Sequence, residues 1–111
     1  MTTRTLTFSQ NKPQALESPI RVIEGVTSLV VTCNYWTTVT TVTSVTCWVN
    51  KQDKTSTIMP SGAVTGTTTS SITLKPMVIA SAFGGKRIVV DILADGEVKQ
   101  FVVIVRKDEI E

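Results

Sequence analysis

An all-β domain is what this chain predicts, and three observations predict it. Nineteen of the 111 residues are threonine, sixteen valine and nine isoleucine. Their branched Cβ stiffens χ1, which suits a pleated sheet better than a helix. Apolar and polar residues alternate through Leu29–Trp36, Val45–Asn50 and the last third of the chain, the period of a strand. Turn signals punctuate these runs, the strongest being Asp95-Gly96. At 111 residues the chain forms one domain with room for a real core.

Residues 1–19 read as an N-terminal arm. Leu6 and Phe8 alternate with polar neighbours over one short strand, Ser9–Gln14 is a loop, and Pro19 restricts the residue before it. Such an arm is loosely held unless a neighbouring subunit or its own sheet anchors it. Ile20–Glu24 predicts a strand ended by Gly25. In the next strand Leu29, Val31, Cys33 and Tyr35 share one face, and Val30, Thr32, Asn34 and Trp36 the other. Residues 37–44, all Thr, Val or Ser, carry that strand into a turn. Val45, Cys47 and Val49 then alternate with Thr46, Trp48 and Asn50.

Residues 51–57 are charged and polar, a loop or weak edge. Met59-Pro60-Ser61-Gly62 marks a turn. After a Thr- and Gly-rich stretch over 64–71, Ile72 and Leu74 predict a short strand stopped by Lys75-Pro76. Residues 77–83 suit a single helical turn or an irregular crossover, closed by Gly84-Gly85.

The last third is the clearest. Lys86–Ala94 and Glu97–Arg106 form a hairpin, because Asp and Gly tolerate the positive φ of a two-residue type I′ turn. That turn sets Ala94 opposite Glu97, Ile92 opposite Lys99, Val90 opposite Phe101 and Ile88 opposite Val103. Ile88, Val90, Ile92, Phe101, Val103 and Val105 share the predicted core face. Val89, Leu93, Val98, Val102 and Ile104 share the other, interrupted by Arg87, Asp91 and Gln100. A water-facing outer surface is normally polar, so this one is expected to be covered.

Seven or so short strands with regular turns predict an immunoglobulin-like antiparallel β-sandwich over residues 20–107, with a small barrel as the alternative. Residues 108–111 form a charged C-terminal tail. The antibody-type disulfide has no counterpart, since the final hairpin holds no cysteine. Cys33 and Cys47 are expected to be small core hydrophobes, in keeping with a reducing compartment, with a disulfide between them as the alternative. Trp48 lies near the place of a third-strand core tryptophan, but the alternation puts Cys47 on the apolar face instead.

Catalysis is not expected. The chain has no histidine to act as a general base, no Gly-x-Ser-x-Gly elbow and only scattered carboxylates. The match Ser9-x-x-Lys12 lacks its companion motifs. Asp91 in mid-strand is read as bonded to its cross-strand neighbour Gln100 or to a cation. Two cysteines without histidine do not make a zinc site, and Gly84-Gly85-Lys86 lacks the spacing of a phosphate loop, so no metal or cofactor is expected. A net charge of +2 with dispersed basic residues argues against nucleic acid, and no apolar run is long enough for a membrane helix. The N-terminus lacks the apolar core of a secretory signal, which leads us to expect synthesis in the cytoplasm.

The charge distribution points to contact with other proteins. No charged residue lies between Glu24 and Lys51, and only Lys75 lies between Lys54 and Lys86. Charge depletion marks the centre of an interface, although threonine hydroxyls also solvate a strand. Trp36 and Trp48 are candidates for interface packing or for a sugar-stacking platform that includes Tyr35. The predicted contact residues are Leu6, Phe8, Val89, Leu93, Val98, Val102, Ile104, Trp36 and Trp48.

Several segments together carry a resemblance. They are the N-terminal arm, the Thr/Val-rich Val39–Trp48, Trp48-Val49-Asn50-Lys51 entering a polar loop, Ile58–Gly62, and the hairpin Ile88–Val105 with its charged tail. Over about residues 25–107, and in its arm, the chain resembles the short immunoglobulin-like virion proteins of tailed bacteriophages. These include capsid decoration (cement) proteins and tail-side adaptors. The resemblance implies a non-enzymatic structural protein of the virion, made in the host cytoplasm, that forms homo-oligomers and docks on other virion proteins of capsid or tail. Decoration or cementing of the capsid is the leading expectation; the alternatives are a tail or fibre adaptor of the virion, or a carbohydrate- or receptor-binding immunoglobulin-like surface module.

Overall fold

Two sheets face each other across the apolar side chains that the sequence alternation selects. The computed structural model describes residues 2–26, 28–60, 62 and 69–107. Its strands are β1 (Thr2–Thr7), β2 (Ile20–Ile23), β3 (Leu29–Val39), β4 (Val42–Val49), β5 (Gln52–Asp53), β6 (Thr69–Thr73), β7 (Arg87–Ala94) and β8 (Glu97–Arg106). One sheet runs β1-β3-β6 and the other β2-β8-β7-β4-β5. A helical turn, α1 (Thr55–Ile58), and a 3-10 turn, Ser81–Phe83, lie in the connections. The fold is all-β and sandwich-like.

The buried positions repeat every second residue: Leu29, Val31 and Cys33 on β3, Val45, Cys47 and Val49 on β4, Ile88, Val90 and Ile92 on β7, Phe101, Val103 and Val105 on β8. Cys47 therefore points inward, and Trp48 is half-buried on the opposite face. Both cysteines are free and fully buried.

The final hairpin has the expected register throughout, from Ala94 opposite Glu97 to Ile88 opposite Val103. Asp95 and Gly96 take φ of 51° and 79°, which a β-branched residue would resist. The Asp95 carboxylate also accepts the backbone N–H groups of Thr40 (3.0 Å) and Thr41 (2.9 Å). One side chain thus ties the β7–β8 turn to the β3–β4 turn. Asn50, expected on the strand, and Lys51, expected in a loop or weak edge, form a second tight hairpin between β4 and β5, with φ of 51° and 63°.

Three expectations are corrected. The segment before residue 20 is part of the sandwich rather than a separate arm, because β1 pairs with β3 from Thr2 opposite Leu29 to Thr7 opposite Asn34. Leu6 and Phe8 are accordingly core residues, 0% and 1% exposed, and not interface residues. Nor are the sheets purely antiparallel: β1–β3 and β2–β8 are parallel pairs. β1 and β3 are joined through β2 in the opposite sheet, a crossover long enough to return the chain in the same direction. Residues 108–111, read as a charged tail, lie outside the described residues.

The connection from β1 to β2 is held by a lysine. Lys99 sits at the inward parity of β8 and is 5% exposed. Its Nζ donates to the carbonyls of Ser9 (2.9 Å), Gln10 (3.3 Å) and Lys12 (2.9 Å), three acceptors for three ammonium protons. Backbone bonds continue the attachment: Gln100 N–H to Pro13 O (2.7 Å) and Ala15 N–H to Gln100 O (3.0 Å).

Candidate functional site

The outer face of the five-stranded sheet is ordered by strand register. Trp48, Val89 and Val102 form one row across β4, β7 and β8. Thr46, Asp91 and Gln100 form the next, and Ser44, Leu93 and Val98 the third. Ile104 opposes Arg87 on β7 and Arg21 on β2. Five of the sequence-predicted contact residues, Val89, Leu93, Val98, Val102 and Ile104, are thus brought together with Trp48. Val98 is 49% exposed, and the other four are half-buried by their neighbours in the sheet.

Trp36 is not part of this face. It lies on β3 in the other sheet, against Tyr35 (centroids 5.6 Å apart) and under the Lys99 ammonium, 4.8 Å from the ring centroid. Phe8 completes the cluster, 5.0 Å from Tyr35. Burial holds the Tyr35 phenol above its ordinary range, and its hydroxyl has no hydrogen-bond partner among the described residues. The two tryptophans belong to different sheets, so they do not make the sugar platform considered from sequence.

Asp91 has a different role from the one expected. It faces Gln100 in register, but the hydrogen bond comes from the Trp48 indole, Nε1–H to Oδ2 at 3.1 Å. The other carboxylate oxygen is sealed and has no hydrogen-bond partner among the described residues. A carboxylate in mid-strand, two strand positions from a tryptophan on the neighbouring strand, is the signal that sequence offered for this pair. Removing a hydrogen bond to a charged acceptor costs about 1.5–3 kcal/mol. Asp91→Ala is expected to lower stability by about that amount and to free the indole, whereas Asp91→Asn retains an acceptor and costs less. Denaturant melts followed by far-ultraviolet circular dichroism check this, and equal melts for the two variants would remove the anchor role.

Trp48 and Asp91 line an open groove of about 700 Å³ with Asn50, Lys51, Gly85, Lys86, Arg87, Val89 and Gln100. Lys51, at the tip of the β4–β5 hairpin, and Lys86 with Arg87, at the start of β7, supply its exposed cations. Among the described residues none of the three has a carboxylate partner within 4 Å. No set of three or more His, Cys, Asp or Glu suited to a metal occurs among the described residues. No helix among them is long and apolar enough to cross a membrane. Comparison with family models, curated proteins and solved structures gives no match.

Proposed function

We propose that this chain is a non-catalytic attachment domain, an immunoglobulin-like accessory protein of a tailed-phage virion that decorates or cements the capsid through protein contacts. The observation that carries the attachment reading is the tiled outer face of β7 and β8. Val98 is 49% exposed there with Leu93 opposite it, and Val89, Val102 and Ile104 lie farther along the same face, beyond the Asp91–Gln100 pair. Apolar rows on a solvent-side sheet, parted by the single polar row of Thr46, Asp91 and Gln100, are the composition of a surface that meets a partner. The phage assignment rests on the resemblance in the sequence.

The immunoglobulin-like reading is supported by how the strands divide. β3 and β6 share one sheet while β4, β7 and β8 share the other, as strands B and E and strands C, F and G do in that fold. The parallel pairing of β1 with β3 is this chain's departure. The proposed mechanism is reinforcement. Standard interfaces bury about 1,600 Å² in total, and many copies engaging at once add avidity.

Val102→Glu tests the face. A carboxylate in the row of Trp48 and Val89 is expected to leave the melting temperature within a few degrees of wild type and to abolish incorporation into particles. Normal incorporation of a folded Val102→Glu protein would remove the docking face. Solution mass tests the proposed homo-oligomer: a mass above that of one chain is expected.

A further inference from the structure

We infer that the groove beside the docking face receives an acidic peptide segment of the partner, so that the partner presents carboxylates next to the apolar patch it offers β7 and β8. This rests on the docking reading and adds the chemistry of what docks. Charge is the first support. Lys51, Lys86 and Arg87 reach the groove from two separate segments, and among the described residues no carboxylate lies within 4 Å of any of them. Cations left free at the rim of a contact surface set the sign of the partner and steer its approach.

Backbone geometry is the second support. Lys51 occupies the left-handed region at φ 63°, next to Asn50 at 51°. That conformation is unfavourable for lysine, where glycine would be at ease, yet it fixes the position from which the ammonium extends. Continuity is the third. Val89 belongs both to the groove lining and to the apolar row Trp48–Val89–Val102, so one partner surface meets both without a break. An extended segment suits the groove better than a saccharide does. The Trp48 N–H is already given to Asp91, and the second Asp91 oxygen is sealed, so the polar atoms best placed to read hydroxyls are occupied or closed.

The test uses the full chain labelled with ¹⁵N and an acetylated hexaglutamate peptide as probe. The Trp48 indole N–H and the backbone amides of Lys51, Lys86 and Arg87 are expected to shift saturably. Hexaglutamine is expected to leave them unmoved. Lys51→Glu/Lys86→Glu, both exposed positions, is expected to weaken binding about tenfold or more. About 1 M salt, where screening acts within about 3 Å, is expected to do the same.

Hexaglutamate binding is read on the wild-type chain and particle incorporation on Val102→Glu, which separates the two readings. Lost incorporation of Val102→Glu with no response to hexaglutamate leaves the docking face standing and overturns the acidic segment. Normal incorporation with a full response removes the docking face and sustains the chemistry of the groove. Two other outcomes overturn the proposal. One is heparin shifting these resonances while hexaglutamate does not, which makes the groove a site for anionic glycans. The other is a chain ending at Lys107 that binds hexaglutamate about tenfold tighter, which makes the protein's own acidic end the occupant.

Discussion

Raising the pH from about 9 towards 12 is expected to unfold the protein through its two buried thiols. Burial pushes Cys33 and Cys47 from near 9 up to about 12. Each is fully enclosed between the sheets, where a thiolate has no water to solvate it. The folded state therefore holds each thiol neutral while the unfolded chain releases its proton. The stabilisation is complete below pH 9 and is lost progressively as pH rises through the folded value. A gap of that width corresponds to on the order of 4 kcal/mol per thiol. Two such thiols rival the whole stability of a small domain, about 5–15 kcal/mol. The Tyr35 phenol, also raised by burial, adds in the same direction. Thermal melts between pH 8 and 11 check this, and the Cys33→Ala/Cys47→Ala variant should show a flatter alkaline limb. A wild-type melting temperature that stays constant to pH 11 would contradict it.

Lys99→Met is expected to cost about 3 kcal/mol, because bonds from a charged donor are worth about 1.5–3 kcal/mol each and the three carbonyls partly re-solvate. Methionine keeps the length and apolar stem of lysine, so the loss isolates the ammonium and its bonds to Ser9, Gln10 and Lys12. Its contact over Trp36 disappears as well. The weak pair with Glu97 at 4.0 Å contributes little, since that carboxylate is largely exposed. Hydrogen exchange should show the Gln100 and Ala15 amides, which join the N-terminal connection to β8, losing protection before the rest of the sheet. Unchanged protection at both, with stability within about 0.5 kcal/mol of wild type, would deny the pinning role.

The sequence made the two-sheet β architecture and the final hairpin legible, because both rest on local rules: a period of two, and an Asp-Gly turn that leaves one register. The inward direction of Cys47 and the outward direction of Trp48 followed from the same count. What escaped is non-local. Nothing near Leu6 or Phe8 indicates that β1 returns to pair in parallel with β3, since that depends on a crossover through the other sheet. Lys99 carried a signal, a lysine at an inward position of β8, but its three acceptors lie about ninety residues earlier. Asp91 was legible as an unusual mid-strand acid, yet its partner came from the adjoining strand rather than the hairpin. Of the candidate site, the five apolar residues of β7 and β8 were legible. The groove was not, because it needs the β4–β5 tip beside the start of β7.

The way β8 is flanked limits how copies of this domain can combine. Pro13–Ala15, the Ser18 hydroxyl on the Val102 amide at 3.0 Å and then β2 occupy its side in succession. Arg4 reaches over to the Arg21 carbonyl of β2 at 3.4 Å. At the opposite margin β5 has only two residues, beside charged Lys51 and Lys54. β5 pairs only with Trp48 and Val49, so among the described residues the rest of β4's outer edge has no strand beside it, whereas the flank of β8 is filled. Lateral strand addition beside β8 is therefore disfavoured, and the outer edge of β4 is the margin left for it.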